Sequence, residues 1–137
     1  DRFDYTAIGD NVNLASRLEG LTKFYNVQII ISESTKLLIK DNFTTRKLDL
    51  VRVKGKNKSV AIYELPIKAN IKFIKQYEKA LSLYLKRKFK EALSEFKKAL
   101  LLNKTDKPTI EFIQRCKNYI KSLPSRGWDG SFEMENK

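Results

Sequence analysis

The spacing of the apolar residues changes near Pro66, and this change divides the chain into two sections with different architectures. Before Pro66, short β-branched runs such as 28–32 are typical of strands and alternate with helical patterns. Over residues 80–120, apolar residues recur instead at the three- and four-residue spacing of amphipathic helices. The sequence therefore predicts an α+β section over residues 1–66 and a small all-α section over residues 67–137.

The predicted elements of the first section alternate between helix and strand. Apolar residues at three-residue steps predict a helix from near Asp10 to near Tyr25, and the run 28–32 predicts a short buried strand. A brief helix follows. The segments 48–53 and 60–65 then predict two strands of a hairpin around a turn rich in lysine and glycine.

The second section is predicted to contain three helices. Two antiparallel helices are separated by a break near 86–88, and a third begins after 106–108 and runs to about Ile120. The alternation of small and large residues over 80–103 resembles one tetratricopeptide-type helix pair. Because such pairs normally stack in arrays, a single pair has to pack against the third helix or the first section. We also expect the aromatic residues of 128–132 to pack on these helices.

Two features of the composition exclude whole classes of site. The chain contains no histidine, so His-based triads, His general bases and His metal ligands are excluded from these residues. Cys116 is the only cysteine, which excludes an internal disulfide and favours a reducing, cytoplasmic compartment.

No apolar run approaches the roughly 18 residues of a membrane helix. The chain begins with Asp1, not Met, and we therefore expect it to be part of a longer protein.

The net charge of +12 is concentrated in the second section. Residues 67–137 hold 17 Lys and Arg against 8 Asp and Glu. Such a balance is compatible with nucleic acid, an anionic membrane surface or an acidic partner, and equally with a lysine-rich solvated helix surface. The aromatic residues fall at core positions of the predicted helices, not on an exposed stacking surface, so we expect no nucleic-acid partner.

The first predicted helix carries an unusual pair of polar residues. Asn13 and Arg17 are four residues apart and therefore lie one above the other on one side of the helix. A helix N-terminus favours an anion such as phosphate, and a guanidinium group matches phosphate oxygens. The same spacing also fits an ordinary capped helix in which Arg17 pairs with Asp10 or Glu19 at the surface. Spacing leaves both interpretations open.

Two motifs in the first section resemble a known family. The run "YTAIGDNVNLASRLE" at 5–19 closely resembles a signature of class III nucleotidyl cyclase catalytic domains. The run "VKGK" at 53–56, followed by "VAIYEL" at 60–65, is similar to the closing hairpin of the same family. The resemblance covers residues 1 to about 66 and implies the C-terminal part of a ferredoxin-like cyclase domain.

The resemblance implies a role for four residues. Asn13 matches the residue that orients the ribose, and Arg17 matches the residue that stabilises the transition state at the α-phosphate. Lys54 matches a lysine that neutralises the polyphosphate, although a lysine in this turn could also be merely exposed. Thr6 falls at the position that reads the purine edge, where threonine is usually associated with adenylyl activity. Thr6 also suits a strand by propensity alone.

The family also implies a substrate, cofactors and a partner. The substrate would be ATP, or GTP as the second choice, converted to a cyclic nucleotide and pyrophosphate for intracellular signalling. Two divalent ions, Mg or Mn, would be held by aspartates on earlier strands that this chain does not cover, so these residues alone should be inactive. The active site would lie at a homodimer interface. Attachment of the complete protein to a membrane through upstream segments is left open.

The second section has a resemblance of its own. The stretches "YEKALSLYLKRKFKEALSEF", "TDKPTIEFIQRC" and "WDG" are similar to the tail that follows the catalytic domain in some bacterial multidomain cyclases. In this context Cys116 is expected to be a buried apolar residue, not a reactive thiol. The tail could contact the cyclase domain or another protein. The alternative for the whole chain is a degenerate, non-catalytic cyclase-like module with a protein-binding helical tail.

Overall fold

The computed structural model describes the backbone of residues 12–53 and 58–134, and the side chains of residues 18–52 and 58–133. The chain divides into two compact units. The first unit is formed by residues 1–69 together with 131–137, and the second unit by residues 70–130. Within the described part of the chain, no helix is long and apolar enough to cross a membrane.

The first unit has mixed helices and strands, as its sequence predicts. Its described elements are α1 (Val12–Tyr25), β1 (Ile30–Ser32), α2 (Glu33–Ile39), a 3-10 turn (Lys40–Asn42), β2 (Arg46–Val53), β3 (Ser59–Glu64) and β4 (Phe132–Met134). Helix α1 ends at Asn26, which adopts a left-handed conformation with φ of 56°. Helix α2 begins where the Ser32 hydroxyl accepts a hydrogen bond from the Thr35 amide at 3.2 Å.

The four described strands form one sheet in the order β1-β3-β2-β4. Strand β3 pairs antiparallel with both β1 and β2, so the predicted hairpin is confirmed. Strand β4 pairs parallel with β2, with Val51 opposite Phe132 and Val53 opposite Met134. The sequence pattern did not predict β4.

Helix α1 packs on this sheet through one face of its C-terminal half. Leu18, Leu21 and Tyr25 follow one another at three- and four-residue spacing and are buried in one cluster with sheet residues that include Leu48 and Ile62. Full burial of each leucine contributes about 1.5–3 kcal/mol to folding. These contacts hold the helix whose N-terminal half contains Asn13 and Arg17.

The second unit contains the three predicted helices: α3 (Ile71–Leu85), α4 (Phe89–Leu102) and α5 (Lys107–Lys121). The turn between α3 and α4 contains Arg87 in a left-handed conformation, with φ of 66°. Asp106 caps α5, and Pro108 occupies its first turn, where a missing amide hydrogen costs nothing. The mixed architecture with a helical extension is therefore confirmed, whereas the likeness to a tetratricopeptide pair stays a prediction.

The core of the second unit is unusually aromatic. The buried rings of Tyr77, Tyr84, Phe96 and Phe112 make edge-to-face or stacked contacts with centroids 4.8–6.0 Å apart. The Gln76 side chain donates to the carbonyl and the carboxylate of Glu95, at 2.9 and 2.8 Å, and so joins α3 to α4. This bond is the main reason that the pKa of Glu95 lies below its usual range.

The aromatic residues of the tail go to two different places. Trp128 packs on Tyr84 and Phe89 in the second unit, as the sequence predicts. The same expectation for Phe132 is wrong, because Phe132 lies in β4 and stacks on Phe24 of the first unit. Gly130, which lies between Trp128 and Phe132 in the sequence, adopts a φ of 93°, which residues with a side chain rarely tolerate.

Candidate functional site

The structure describes the backbone of two of the four predicted site residues. Asn13 and Arg17 lie in the N-terminal half of α1, one helical turn apart along a regular helix. Thr6 and Lys54 lie outside the described residues, and so do the side chains of Asn13 and Arg17. Lys54 follows β2 directly in the chain. The roles of all four therefore remain predictions.

The end of α1 is tied to β2 by a buried hydrogen bond that sequence reasoning missed. The Tyr25 hydroxyl donates to Oδ2 of Asp49, and both residues are 0% exposed. Oδ1 of Asp49 accepts from the amide of Leu50 at 2.7 Å. An acidic residue between Leu48 and Leu50, within the apolar stretch of β2, was the signal that could have indicated this contact.

A β-bulge in β2 aims Asp49 at this position. The pairing with β3 shifts between Lys47 and Asp49, which lie opposite Tyr63 and Ile62. In a regular strand, adjacent side chains point to opposite faces. Here Leu48 and Asp49 are adjacent, and both are fully buried. The extra residue of the bulge accounts for this change of phase and turns Asp49 into the core.

A second polar pair, one member of which is buried, joins β2 to β3 at the other end of the hairpin. Arg46, which is 2% exposed, lies opposite Glu64 in the β2–β3 register. Nη2 and Nε of Arg46 lie 2.6 and 2.7 Å from the same carboxylate oxygen of Glu64. This pair joins β2 to β3 at the end of β2 that lies far from Lys54.

Neither metal ligands nor a reactive thiol appear in the described part of the chain. No group of three or more His, Cys, Asp or Glu among these residues is placed to hold a metal ion. Burial raises the pKa of the Cys116 thiol to about 12, which agrees with its predicted role as an apolar core residue.

A surface hollow in the first unit is lined by described residues. It has a volume of about 420 Å³. Its lining includes Phe43, Thr44, Pro66 and Ile67. Phe43 and Ile67 are 57% and 78% exposed, so the hollow is an open apolar depression and not a formed nucleotide pocket.

The match to a family model ends at the point where the sequence pattern changes. Residues 1–66 match the family model of the adenylate and guanylate cyclase catalytic domain. The terminal-differentiation specific adenylate cyclase of Dictyostelium discoideum is 39% identical over 133 residues, which are 90% of this chain and 6% of that protein. This second likeness extends beyond Pro66 and includes much of the helical unit.

Two further relatives match a shorter stretch. The adenylate cyclase of Anabaena cylindrica is 49% identical over 67 residues, which are 47% of this chain and 13% of that protein. Adenylate cyclase 1 of Rhizobium meliloti is 40% identical over 65 residues, which are 47% of this chain and 10% of that protein. This chain thus spans only 6% to 13% of the length of these three relatives. No solved structure gave a match. Residues 1–66 are therefore similar to the adenylate and guanylate cyclase catalytic domain, and the three relatives are themselves named as adenylate cyclases.

Proposed function

We propose that residues 1–66 supply the ribose- and phosphate-binding side of a nucleotide cyclase active site. A complete cyclase that contains this chain would convert ATP into cyclic AMP and pyrophosphate, with GTP as the second candidate substrate. The observation that carries the proposal is the family match over residues 1–66, which includes the helix of Asn13 and Arg17. The adenylate cyclase names of three relatives, together with Thr6, favour ATP.

The proposed chemistry requires charge stabilisation at the α-phosphate. The ribose 3′-hydroxyl releases its proton to water, and its oxygen attacks the α-phosphorus and forms a new P–O bond, while the bond from that phosphorus to the pyrophosphate oxygen breaks. Arg17 would donate to the α-phosphate oxygens, where negative charge develops, and Asn13 would hold the ribose. Lys54, with a compact charge on a flexible stem, would neutralise the leaving polyphosphate.

Divalent ions, as Mg or Mn, would be bound by carboxylates of the complete cyclase that lie outside this chain. When bound, they would neutralise the triphosphate and lower the pKa of the attacking hydroxyl. This assignment rests on the family match alone. The residues of this chain would bind, orient and polarise the nucleotide.

A homodimer follows as part of the same proposal. If Asn13 and Arg17 face carboxylates of a second copy, each active site is complete only in the dimer. The helical unit would then remain available to contact the cyclase domain or another protein. We place the protein in the cytoplasm, where ATP is abundant and a buried free thiol such as Cys116 stays reduced.

The proposal is tested by Arg17→Ala in the complete cyclase. Cyclic AMP formation should fall by roughly a hundredfold or more, the usual effect of removing one strong transition-state donor. Lys23→Ala is the matched control, because it removes an exposed cation from the last turn of the same helix. Unchanged turnover in Arg17→Ala would overturn the proposal. A complete wild-type protein that forms no cyclic nucleotide would favour the non-catalytic module instead.

A further inference from the structure

We propose that Tyr25 and Asp49 are positioning residues for the cyclase reaction. Their hydrogen bond would fix helix α1, which carries Asn13 and Arg17, relative to strand β2, which leads to Lys54. The inference rests on the proposed function of residues 1–66. It assigns a role in that reaction to two side chains that would not touch the nucleotide.

The apolar contacts of α1 leave its exact position underdetermined. Leu18 and Leu21 are buried against the sheet, and such contacts are non-directional. A hydrogen bond, in contrast, has a preferred length and angle. The bond from Tyr25 to Asp49 therefore adds a directional constraint at the end of α1. Through the regular helix it also constrains Arg17, which is eight residues, or about 12 Å, away.

The same hydrogen bond also constrains strand β2, because Asp49 belongs to that strand. Asp49 lies five residues before Lys54, or about 17 Å along an extended chain. Val51 and Arg52, in the intervening segment, are paired on both sides, with β3 on one and β4 on the other. A strand held on both edges shifts less than a free loop. The position of Asp49 therefore bears on the strand that precedes Lys54 in the chain.

The chemistry of the pair also favours a positioning role over simple packing. Burial of a carboxylate is unfavourable unless hydrogen bonds compensate it, and an apolar side chain would fill the same space at lower cost. Asp49 is fully buried, and its two oxygens accept from Tyr25 and from the Leu50 amide. The bulge before it is a further departure from regular structure that serves to bury this residue.

The test is the steady-state kinetics of Tyr25→Phe in the complete cyclase. This change removes one hydroxyl and keeps the ring. We expect kcat to fall about tenfold with KM for the nucleotide within about twofold, because misplaced transition-state donors reduce the chemical step more than binding. Asp49→Asn, which keeps an acceptor for the tyrosine hydroxyl, should retain more activity than Asp49→Ala.

Arg46→Met is the matched control for a general loss of stability. Arg46 is buried on the same strand, but its described ion pair joins β2 to β3 and not to α1. The Arg46→Met variant should lower the urea midpoint of unfolding while its kcat stays near that of the wild type. Wild-type kcat in both Tyr25→Phe and Asp49→Ala, with an inactive Arg17→Ala, would overturn the inference and keep the proposed function. Full activity in Arg17→Ala would overturn the proposed function itself.

Equal loss of kcat in Arg46→Met and Tyr25→Phe would also overturn the inference, since stability alone would then explain the effect. If Tyr25→Phe does not fold, the comparison of Asp49→Asn with Asp49→Ala decides. Equal activity in these two variants contradicts a positioning hydrogen bond. Higher activity in the asparagine variant supports it.

Discussion

The rings of Phe24 and Phe132 stack with their centroids 5.2 Å apart and an interplanar angle of 20°. Phe24 belongs to α1, and Phe132 lies opposite Val51 in the parallel pairing of β4 with β2. The segment that follows the helical unit therefore returns to the first unit and contacts both its helix and its sheet. The chain of the second unit is thus connected to the first unit at each of its ends.

Phe132→Ala should destabilise the first unit. Phe132 is partly buried, so we expect a loss of about 2 kcal/mol, roughly half of what a fully buried phenylalanine contributes. Urea unfolding of the protein measures this loss, and hydrogen exchange of the amides at 132–134 should become faster. Phe43→Ala is the control, because Phe43 is 57% exposed. Equal stability of the two variants would contradict a structural role for β4.

Replacing Glu64 alone should lower stability more than replacing both residues of its ion pair with Arg46. Glu64→Ala leaves the guanidinium of Arg46 buried without this partner, and breaking a buried pair from one side costs about 3–5 kcal/mol. The double change Arg46→Met with Glu64→Leu should recover most of that loss, because no charge is then buried at this position. Urea midpoints of the two variants test the order. A double variant less stable than Glu64→Ala would show that the ion pair is strongly stabilising by itself.

The sequence predicted the local elements well because each depends on a short pattern. The helix ending at Tyr25, the hairpin around 54–57 and the break at 86–88 follow from periodicity, turn residues and caps. Strand β4 could not be predicted in this way. It has three residues and pairs with residues of β2 that lie 81 positions earlier in the chain.

The candidate site shows the same division between local pattern and tertiary structure. Asn13 and Arg17 were singled out by a contiguous motif, whereas spacing alone left a capped surface helix open as the alternative. The contact of Tyr25 with Asp49 joins residues 24 apart and depends on a bulge between β2 and β3. A bulge is a property of strand register, which the sequence of one strand does not determine.

Burial makes the Cys116 thiol unreactive, and it makes the free energy of unfolding decrease at alkaline pH. The pKa of its thiol is raised to about 12 because the surrounding core disfavours the thiolate. The folded protein should not react with a thiol reagent at pH 8, whereas the urea-unfolded protein should react at once. In the unfolded chain the thiol ionises near pH 8.5–9. Its contribution to stability is therefore complete below that pH and is lost as the pH rises towards 12. Cys116→Ala should remove this part of the alkaline destabilisation, and an unchanged pH profile of the unfolding free energy would contradict the assignment.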